Sequence, residues 1–345
     1  MTSNATLNRL EQYWYSERPL SLALVPVSWI YRLLVALRRL LYRLRLLPVT
    51  RLPVPVVVVG NLTVGGTGKT PLVIALANLL KAKGFRPGLV SRGYGGTAAS
   101  WPQQVRRDSD PVVVGDEAVL LARRTRCPMA VGPDRVAAAL ALLKYSDCDV
   151  ILSDDGLQHY ALARDIEIAV IDGIRRLGNG HLLPAGPLRE PKRRIKKVDF
   201  VVANGGGSRG EFSMQVRLGL PRRLLDDRDA KGWEEFRGKR FHAVAGIGHP
   251  ERFFAALKKL GLDPIEQRFP DHHAFREEDL HFKEAGPVLM TEKDAVKCQR
   301  FAKPDHWYVP IEAELDPRFE VPFLRKLSGV KKRFATPADG VRVNG

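Results

Sequence analysis

Val54-Pro55-Val56-Val57-Val58-Val59-Gly60-Asn61-Leu62-Thr63-Val64-Gly65-Gly66-Thr67-Gly68-Lys69-Thr70-Pro71 is the stretch from which the fold can be read. Its valine run is short and unbroken by polar residues, the pattern of a strand buried on both faces. A glycine-rich turn follows at once, and Leu72 to Lys83 continues as a helix by pattern. Strand, glycine loop and helix in immediate succession make a phosphate site. Glycines let backbone N–H groups approach phosphate oxygens, Lys69 reaches the β and γ oxygens, and Thr70 offers its hydroxyl to Mg²⁺. The expected phosphate-binding residues are therefore Thr63, Val64, Gly65, Gly66, Thr67, Gly68, Lys69 and Thr70. One departure stands out: the usual motif has glycine where this chain has Thr63. Nor is this the deviant form with a second lysine before the glycine pair, because Val64 occupies that place.

Working outward, Asp149 to Ser153 reads as another buried strand that runs into Asp154-Asp155-Gly156-Leu157-Gln158-His159. Open α/β sheets bind ligands beyond the carboxyl ends of their strands, so Asp154 and Asp155 are candidates to hold or orient Mg²⁺. Paired Asp at a strand end is also simple turn chemistry. Further strands fit 87–91, 130–131, 166–171 and 198–203, with helices near 116–125 and 133–145. This alternation implies an α/β fold with a doubly wound, mostly parallel sheet of the P-loop NTPase kind. Asp116, in Gly115-Asp116-Glu117-Ala118, opens one of these helices, either as an N-cap or as a general base facing the γ-phosphate. Arg92, in Ser91-Arg92-Gly93-Tyr94-Gly95-Gly96, suits a substrate phosphate or is a solvated cation on a mobile turn. Residues 178–191 form a long loop, a kind more often functional than incidental, and Arg189 and Glu190 in it are candidates for phosphate and metal contact. Lys192 to Lys197 follows as a basic run.

The chain has 345 residues, 45% of them hydrophobic, which suits about two domains with real cores and excludes disorder for most of its length. A net charge of +17 points to an anionic partner: nucleic acid, a phosphorylated substrate or an anionic membrane surface. Cys127, Cys148 and Cys298 show neither disulfide-framework nor zinc-ligand spacing, which fits a reducing compartment. The first residues lack the basic and apolar regions of an export signal. Leu20 to Leu37 is apolar, but Pro26 and Arg32 count against a spanning helix. From Ile30 to Leu47, leucines recur at helical spacing, with Arg32, Arg38, Arg39, Arg43 and Arg45 on roughly the opposite side. This basic amphipathic helix is expected to lie on a membrane surface, with packing on the protein's own core as the alternative. Residues 1–51 contribute +6 and residues 189–197 contribute +5 to the net charge, so the two segments suited to an anionic bilayer hold most of it.

After about residue 222 the pattern restarts, with strands near 241–245, 265–269 and 287–290 and a helix at 251–260. This is the expectation for a second, smaller α/β domain. Three segments follow: residues 1–50 membrane-associated, 51–222 a P-loop core, and 223–345 the smaller domain. Asp271-His272-His273 joins an acid to two imidazoles in a loop. Met290-Thr291-Glu292-Lys293-Asp294-Ala295 is superficially like a guanine-reading loop, but that chemistry needs one residue between Lys and Asp, so ATP is expected rather than GTP. A nucleic-acid-dependent ATPase would explain the charge, yet no interleaved aromatic and basic stacking motif is visible, and no nucleic-acid partner is expected. A P-loop GTPase or metallochaperone would leave the missing guanine loop and the missing Cys/His cluster unexplained.

Taken together, GNLTVGGTGKTP, SRGYGG, GDEA, DDGLQH, GNGHLLPAGPLREP, AGIGHPERFF, FPDHHAF and MTEKDAVK, in this order, resemble the tetraacyldisaccharide 4′-kinase family, the lipid A 4′-kinases of Gram-negative bacteria. The resemblance runs from the apolar N-terminal helix to about residue 312. It implies an ATP- and Mg²⁺-dependent kinase at the cytoplasmic face of the inner membrane. Such an enzyme phosphorylates the 4′-hydroxyl of a tetraacylated glucosamine disaccharide 1-phosphate, giving lipid IVA. It also implies that Lys69 and Thr70 hold phosphates and Mg²⁺, that Asp154, Asp155 and Glu190 support the metal, and that Asp116 is the catalytic base aided by His272 or its neighbour His273. Arg92, Asn179 and Arg189 become substrate contacts, and Gly248, Thr291 and Glu292 weaker candidates on a domain that closes over the nucleotide. Leu157 stands where the family commonly has an aromatic residue.

Overall fold

A computed structural model describes residues 13–15 and 23–335. The opening residues read for an export signal, the start of the apolar run at Leu20, and residues 336–345 lie outside the described residues, apart from 13–15. In chain order the elements used below are α1 (Val25–Arg43), β1 (Val56–Gly60), α2 (Lys69–Ala82), β2 (Pro87–Ser91), β3 (Gln103–Val105), α3 (Pro111–Val114) and α4 (Asp116–Thr125). They continue with β4 (Met129–Val131), α5 (Arg135–Tyr145), β5 (Val150–Asp154), β6 (Ile166–Asp172), β7 (Phe200–Asn204), β8 (Phe212–Leu218) and β9 (Arg222–Arg223). Then come β10 (His242–Ala245), α6 (Pro250–Lys259), β11 (Ile265–Arg268), β12 (Val288–Thr291), α7 (Glu292–Cys298), β13 (His306–Val309), β14 (Ile311–Leu315) and α8 (Glu320–Ala335).

The valine run is the centre of the larger sheet. β1 pairs in parallel with β5 on one side and β6 on the other, within the order β14-β8-β7-β6-β1-β5-β2-β4-β3. Side chains alternate across a strand, so Val57 and Val59 enter one core with α2, α4 and α8, while Val56 and Val58 enter the other with α5. All four valines are at most 1% exposed, and each such burial is worth roughly 1.5–3 kcal/mol. Only the edge strands β3 and β14 run antiparallel to their neighbours. The expected doubly wound, mostly parallel sheet is thus present, with the carboxyl ends of β1, β2, β5 and β6 along one edge, the side on which such sheets bind ligands.

The second sheet has the order β11-β10-β12-β13-β9 and its own apolar cores, one of them around Phe241, Phe254 and Leu257. The cut expected at residue 222 does not extend to the C terminus. β14 pairs with β8 from Ile311–Leu218 to Leu315–Met214, and Phe319, Phe323 and Leu327 pack into the core of the larger sheet. A cut that assigned 223–345 to the smaller unit would strip the larger sheet of an edge strand and a covering helix. β9 in turn pairs with β13, so the smaller sheet takes an edge strand from Arg222–Arg223.

α1 leaves most of its leucines off the protein. Trp29, Ile30, Leu33, Leu34, Leu37 and Leu40, with Leu44 at its end, are exposed, Leu33 at 69%, and Leu41 is half-buried. The helix docks through Ser28, Tyr31, Arg39 and Tyr42: the Ser28 hydroxyl donates to the Leu182 carbonyl at 2.8 Å, the Tyr31 hydroxyl donates to that of Arg189 at 3.1 Å, and Tyr42 meets the Tyr160 ring at 5.7 Å. The expected opposition of leucines and arginines is corrected for Arg39, which turns inward to Glu190 and the Tyr160 ring. Among the described residues, no helix is long and apolar enough to cross a membrane.

Candidate active site

The phosphate loop takes its shape from two glycines with positive φ, Gly65 at 93° and Gly68 at 91°. At Gly68 a side chain would also collide with the Asn204 amide, 2.7 Å from an added Cβ, so the turn into α2 requires glycine. The loop is braced by its neighbour: the Val64 N–H donates to the Pro187 carbonyl, and Thr63 bridges Leu188. The tolerance of threonine at 63 thus has a local reason, because that residue is buried and paired with the 178–191 loop. Lys69 Nζ lies 3.5 Å from Asp155, which also accepts from Arg189 at 3.1 and 3.2 Å. Burial alone would push the Asp155 carboxyl up, but Lys69 and Arg189 outweigh it and hold the group below its ordinary value.

Asp154 behaves differently. It is buried, its Oδ1 has no hydrogen-bond partner, and desolvation with the charges of Glu117 and Asp155 raises its pKa to about 7. An orphaned carboxylate oxygen beside a second carboxylate and a lysine is an environment that a cation would relieve. Thr67 Oγ1 is likewise buried without a partner. Among the described residues, no group of three or more His, Cys, Asp or Glu side chains could hold a metal alone. Mg²⁺ is usually held by one or two carboxylates together with phosphate oxygens and water.

Glu190 is not with them. Both its oxygens accept from the Tyr160 hydroxyl at 2.8 Å, Arg194 Nε lies at 3.4 Å and Arg39 at 3.8 Å. The expected metal contact is replaced by a buried structural one, in which Glu190 joins α1 to the basic run 192–197. Its neighbour Glu167 pairs with both Arg164 and Arg194. Asn179 is also corrected: its Nδ2 donates to the Ala185 carbonyl and its Oδ1 accepts from the His181 N–H, so the side chain folds the loop. Arg92 is exposed at the mouth of the crevice, close enough to Arg135 for their charges to repel.

Asp116 is the first residue of α4 and not its cap, a place taken by Gly115. Its Oδ1 accepts from the Glu117 N–H at 2.8 Å, and its Oδ2 faces His272 Nδ1 at 3.0 Å. Of the two adjacent imidazoles, His272 meets Asp116, while His273 pairs with Asp279 at 3.0 Å and packs against Phe269 and Phe275. Burial pushes the Asp116 carboxyl up, but the His272 hydrogen bond and the Lys293 charge prevail and lower it; the same hydrogen bond raises His272 against its own burial. His272 and Asp155 both adopt positive φ, at 57° and 48°, a backbone state that costs non-glycine residues energy and concentrates at functional sites.

Gly115 sets the entry to this helix, with φ 94° and an added Cβ only 2.5 Å from the Tyr94 carbonyl oxygen. Gly115→Ala is expected to cost ~1–3 kcal/mol of stability and to displace Asp116. Urea unfolding alongside a kcat measurement checks this, and an unchanged midpoint with full turnover would contradict it.

A model of the tetraacyldisaccharide-1-P 4′-kinase family matches residues 20–328. The chain is a member of that family. It is 56% identical over 322 residues to the tetraacyldisaccharide 4′-kinase of Nitrosococcus oceani, covering 93% of this chain and 95% of that one. It is 50% identical to that of Methylobacillus flagellatus, over 94% and 97% of the two chains. A crystal structure of LpxK from Aquifex aeolicus in complex with ATP superposes with a TM-score of 0.77 at 29% identity, covering 90% of this chain and 99% of that one.

In this kinase the residues expected to read the nucleotide from the smaller sheet have other partners. Thr291 caps α7 and Glu292 pairs with Arg124 at 2.7 Å, which ties α7 to α4. Asp294, fully buried, accepts from the Gly246 N–H and the Thr291 hydroxyl, so it is not presented to a base. The residue between them, Lys293, which carries no role in the sequence motif, stands against the Asp116–His272 pair. Spacing could not have found it, because its partners come from α4 and from the 270–275 loop.

Proposed function

We propose that this kinase transfers the γ-phosphoryl group of ATP to the 4′-hydroxyl of a tetraacylated glucosamine disaccharide 1-phosphate, with Asp116 taking the hydroxyl proton. What carries the reading is the 3.0 Å contact between Asp116 and His272, next to Glu117, whose charge is felt by Asp154 at the carboxyl end of β5. Backbone N–H groups from 65–70 cradle the β- and γ-phosphates, while that of Val64 stays on the Pro187 carbonyl, and Lys69 neutralises the charge that grows as the phosphoryl group departs. Thr70, Asp154 and Asp155 would hold the Mg²⁺, which supplies further neutralisation at the phosphate oxygens. Asp116, set at the positive end of α4 and bonded to an imidazole that can share the proton, orients and deprotonates the sugar hydroxyl. Arg92 and Arg189 lie beside the crevice as contacts for the substrate's anionic groups. The division of labour follows the sheets: the larger one, completed by β14 and α8, holds nucleotide and base, and the smaller one presents His272 across the crevice. Incubation with γ-labelled ATP and the disaccharide lipid, with RNA and DNA as competing acceptors, tests the reaction. Label on the lipid supports it, and label only on phosphate or nucleic acid rejects it.

The membrane is reached through α1. Its exposed leucines form an apolar face larger than scattered surface hydrophobes require, and exposed Arg32, Arg38 and Arg43 join Lys192, Arg193, Lys196 and Lys197 as cations for lipid head groups. Glu190, touching Arg39 and Arg194 together, keeps the two cationic segments side by side. The surface of the inner membrane on its cytoplasmic side fits this combination. Replacing Leu33, Leu37 and Leu40 by Gln, all solvent-facing positions, is expected to move most of the protein from the membrane pellet to the soluble fraction. Unchanged sedimentation with anionic vesicles would reject surface docking by α1.

A further inference from the structure

Lys293 Nζ sits 3.4 Å from His272 Nε2, 3.2 Å from Glu117, 3.5 Å from Asp271 and 3.9 Å from Asp116. Its side chain is 17% exposed, so these contacts are made largely out of water. The helix that carries it is fixed to α4 by the Arg124–Glu292 pair, so the ammonium is held beside Asp116 whatever the 270–275 loop does. Two facts of donor chemistry then bear on the imidazole. An ammonium has hydrogens and no lone pair, so a ring nitrogen turned toward it must accept. A neutral imidazole that accepts at one nitrogen carries its hydrogen on the other. With Nε2 facing Lys293 and Nδ1 facing Asp116 Oδ2, the neutral ring has one arrangement that satisfies both neighbours: Lys293 donates to Nε2, and Nδ1–H donates to the carboxylate.

We propose that Lys293 is a positioning residue of the phosphoryl transfer, which locks His272 in the Nδ1–H tautomer and opposes its conversion to the imidazolium. The inference deepens the reading of Asp116 and His272 as the proton-handling pair and rests on it. Asp116 favours a charged His272 and Lys293 disfavours it; the balance leaves the ring raised above the ordinary histidine value but restrained. Lys293 itself stays charged, since Glu117, Asp116 and Asp271 overcome the effect of its burial. The other charged groups around the pair are Lys297 on the same helix, which pairs with Asp294 at 2.7 Å, and Asp271, which lies 3.8 Å from Nε2. Tyr94 closes the remaining side, its ring 5.3 Å from that of His272. Without Lys293, Nε2 would be left to Asp271, an acceptor that calls for a hydrogen there, and the doubly protonated ring bridging two carboxylates would be favoured.

The test compares Lys293→Met with Lys293→Arg. For Lys293→Met we expect kcat to fall about tenfold at neutral pH with the KM for ATP little changed, and the acid limb of the kcat profile to move up by about one pH unit, since a one-unit shift equals a tenfold change in the protonation equilibrium. Lys293→Arg, which keeps the charge and the donors, is expected to restore the limb. Independently of turnover, ¹⁵N shifts of the His272 ring, assigned by difference against His272→Gln, should show hydrogen on Nδ1 and a lone pair on Nε2 above the acid limb. In Lys293→Met the Nε2 signal should move toward the protonated value. An unmoved acid limb, equal losses in the Met and Arg variants, or an Nε2–H tautomer in the unmodified protein would each overturn the inference. Failure of the underlying reading looks different: Asp116→Ala would keep its activity.

Discussion

Lys69→Ala is expected to lower kcat/KM by ~10²–10³-fold, the scale on which a preorganised donor to transition-state charge is lost, and the loss should fall mainly on kcat. Two consequences of the geometry support a large effect. Lys69 leads α2 directly out of the glycine loop proposed to cradle the phosphates, and it stands 3.5 Å from Asp155, so its removal also takes a counter-charge from a crowded acidic pair. Asp155 would keep Arg189 as a partner, so the fold should survive, which far-UV circular dichroism and a melting curve can check. Steady-state assays at varied ATP separate binding from transfer. Turnover within threefold of the unmodified enzyme would undermine the phosphate site as a whole.

Asp116→Ala is expected to reduce kcat by ~10²-fold or more with a modest change in the KM for ATP, as for other general bases. The carboxyl is 5% exposed and held below its ordinary value, so in the folded enzyme it is ionised throughout the neutral range and ready to accept a proton. Linkage gives a sign as well: a depressed carboxylate pKa contributes stability that is present above the unfolded value and is lost as pH falls through the folded one. The unmodified protein should therefore lose more stability than the Ala variant on acidification below the ordinary Asp range. Denaturant titrations across that range check the sign, and kcat checks the role; near-normal turnover would remove Asp116 from the proposed chemistry.

Much of this is legible in the amino-acid sequence. The valine run, the glycine loop and the following helix define one another locally: apolar content decides burial, glycine decides which turns can form, and both are properties of neighbouring residues. The strands read at 149–153 and 166–171 are legible for the same reason, and the observed bounds, 150–154 and 166–172, differ by one residue at most. β14 and α8 are not, because a short edge strand acquires its identity from β8, far away in the chain, and α8 from the face of the larger sheet that it covers. Glu190 misled for a related reason. A carboxylate beside a phosphate-like loop reads as a metal ligand, but whether it points at the crevice or at Tyr160, Arg39 and Arg194 depends on how the loop closes.

The amino-acid sequence by itself determined the class of fold, the phosphate loop, the paired aspartates and the family, since these rest on residue types at short, fixed spacing. Only the tertiary structure decided which of His272 and His273 faces Asp116, that Lys293 joins them, and that the leucines of α1 face outward. Each of those outcomes depends on the orientation of side chains carried by elements distant in the chain. Such orientation is set by packing and by the pairing of buried charge, which spacing along one strand of sequence does not encode.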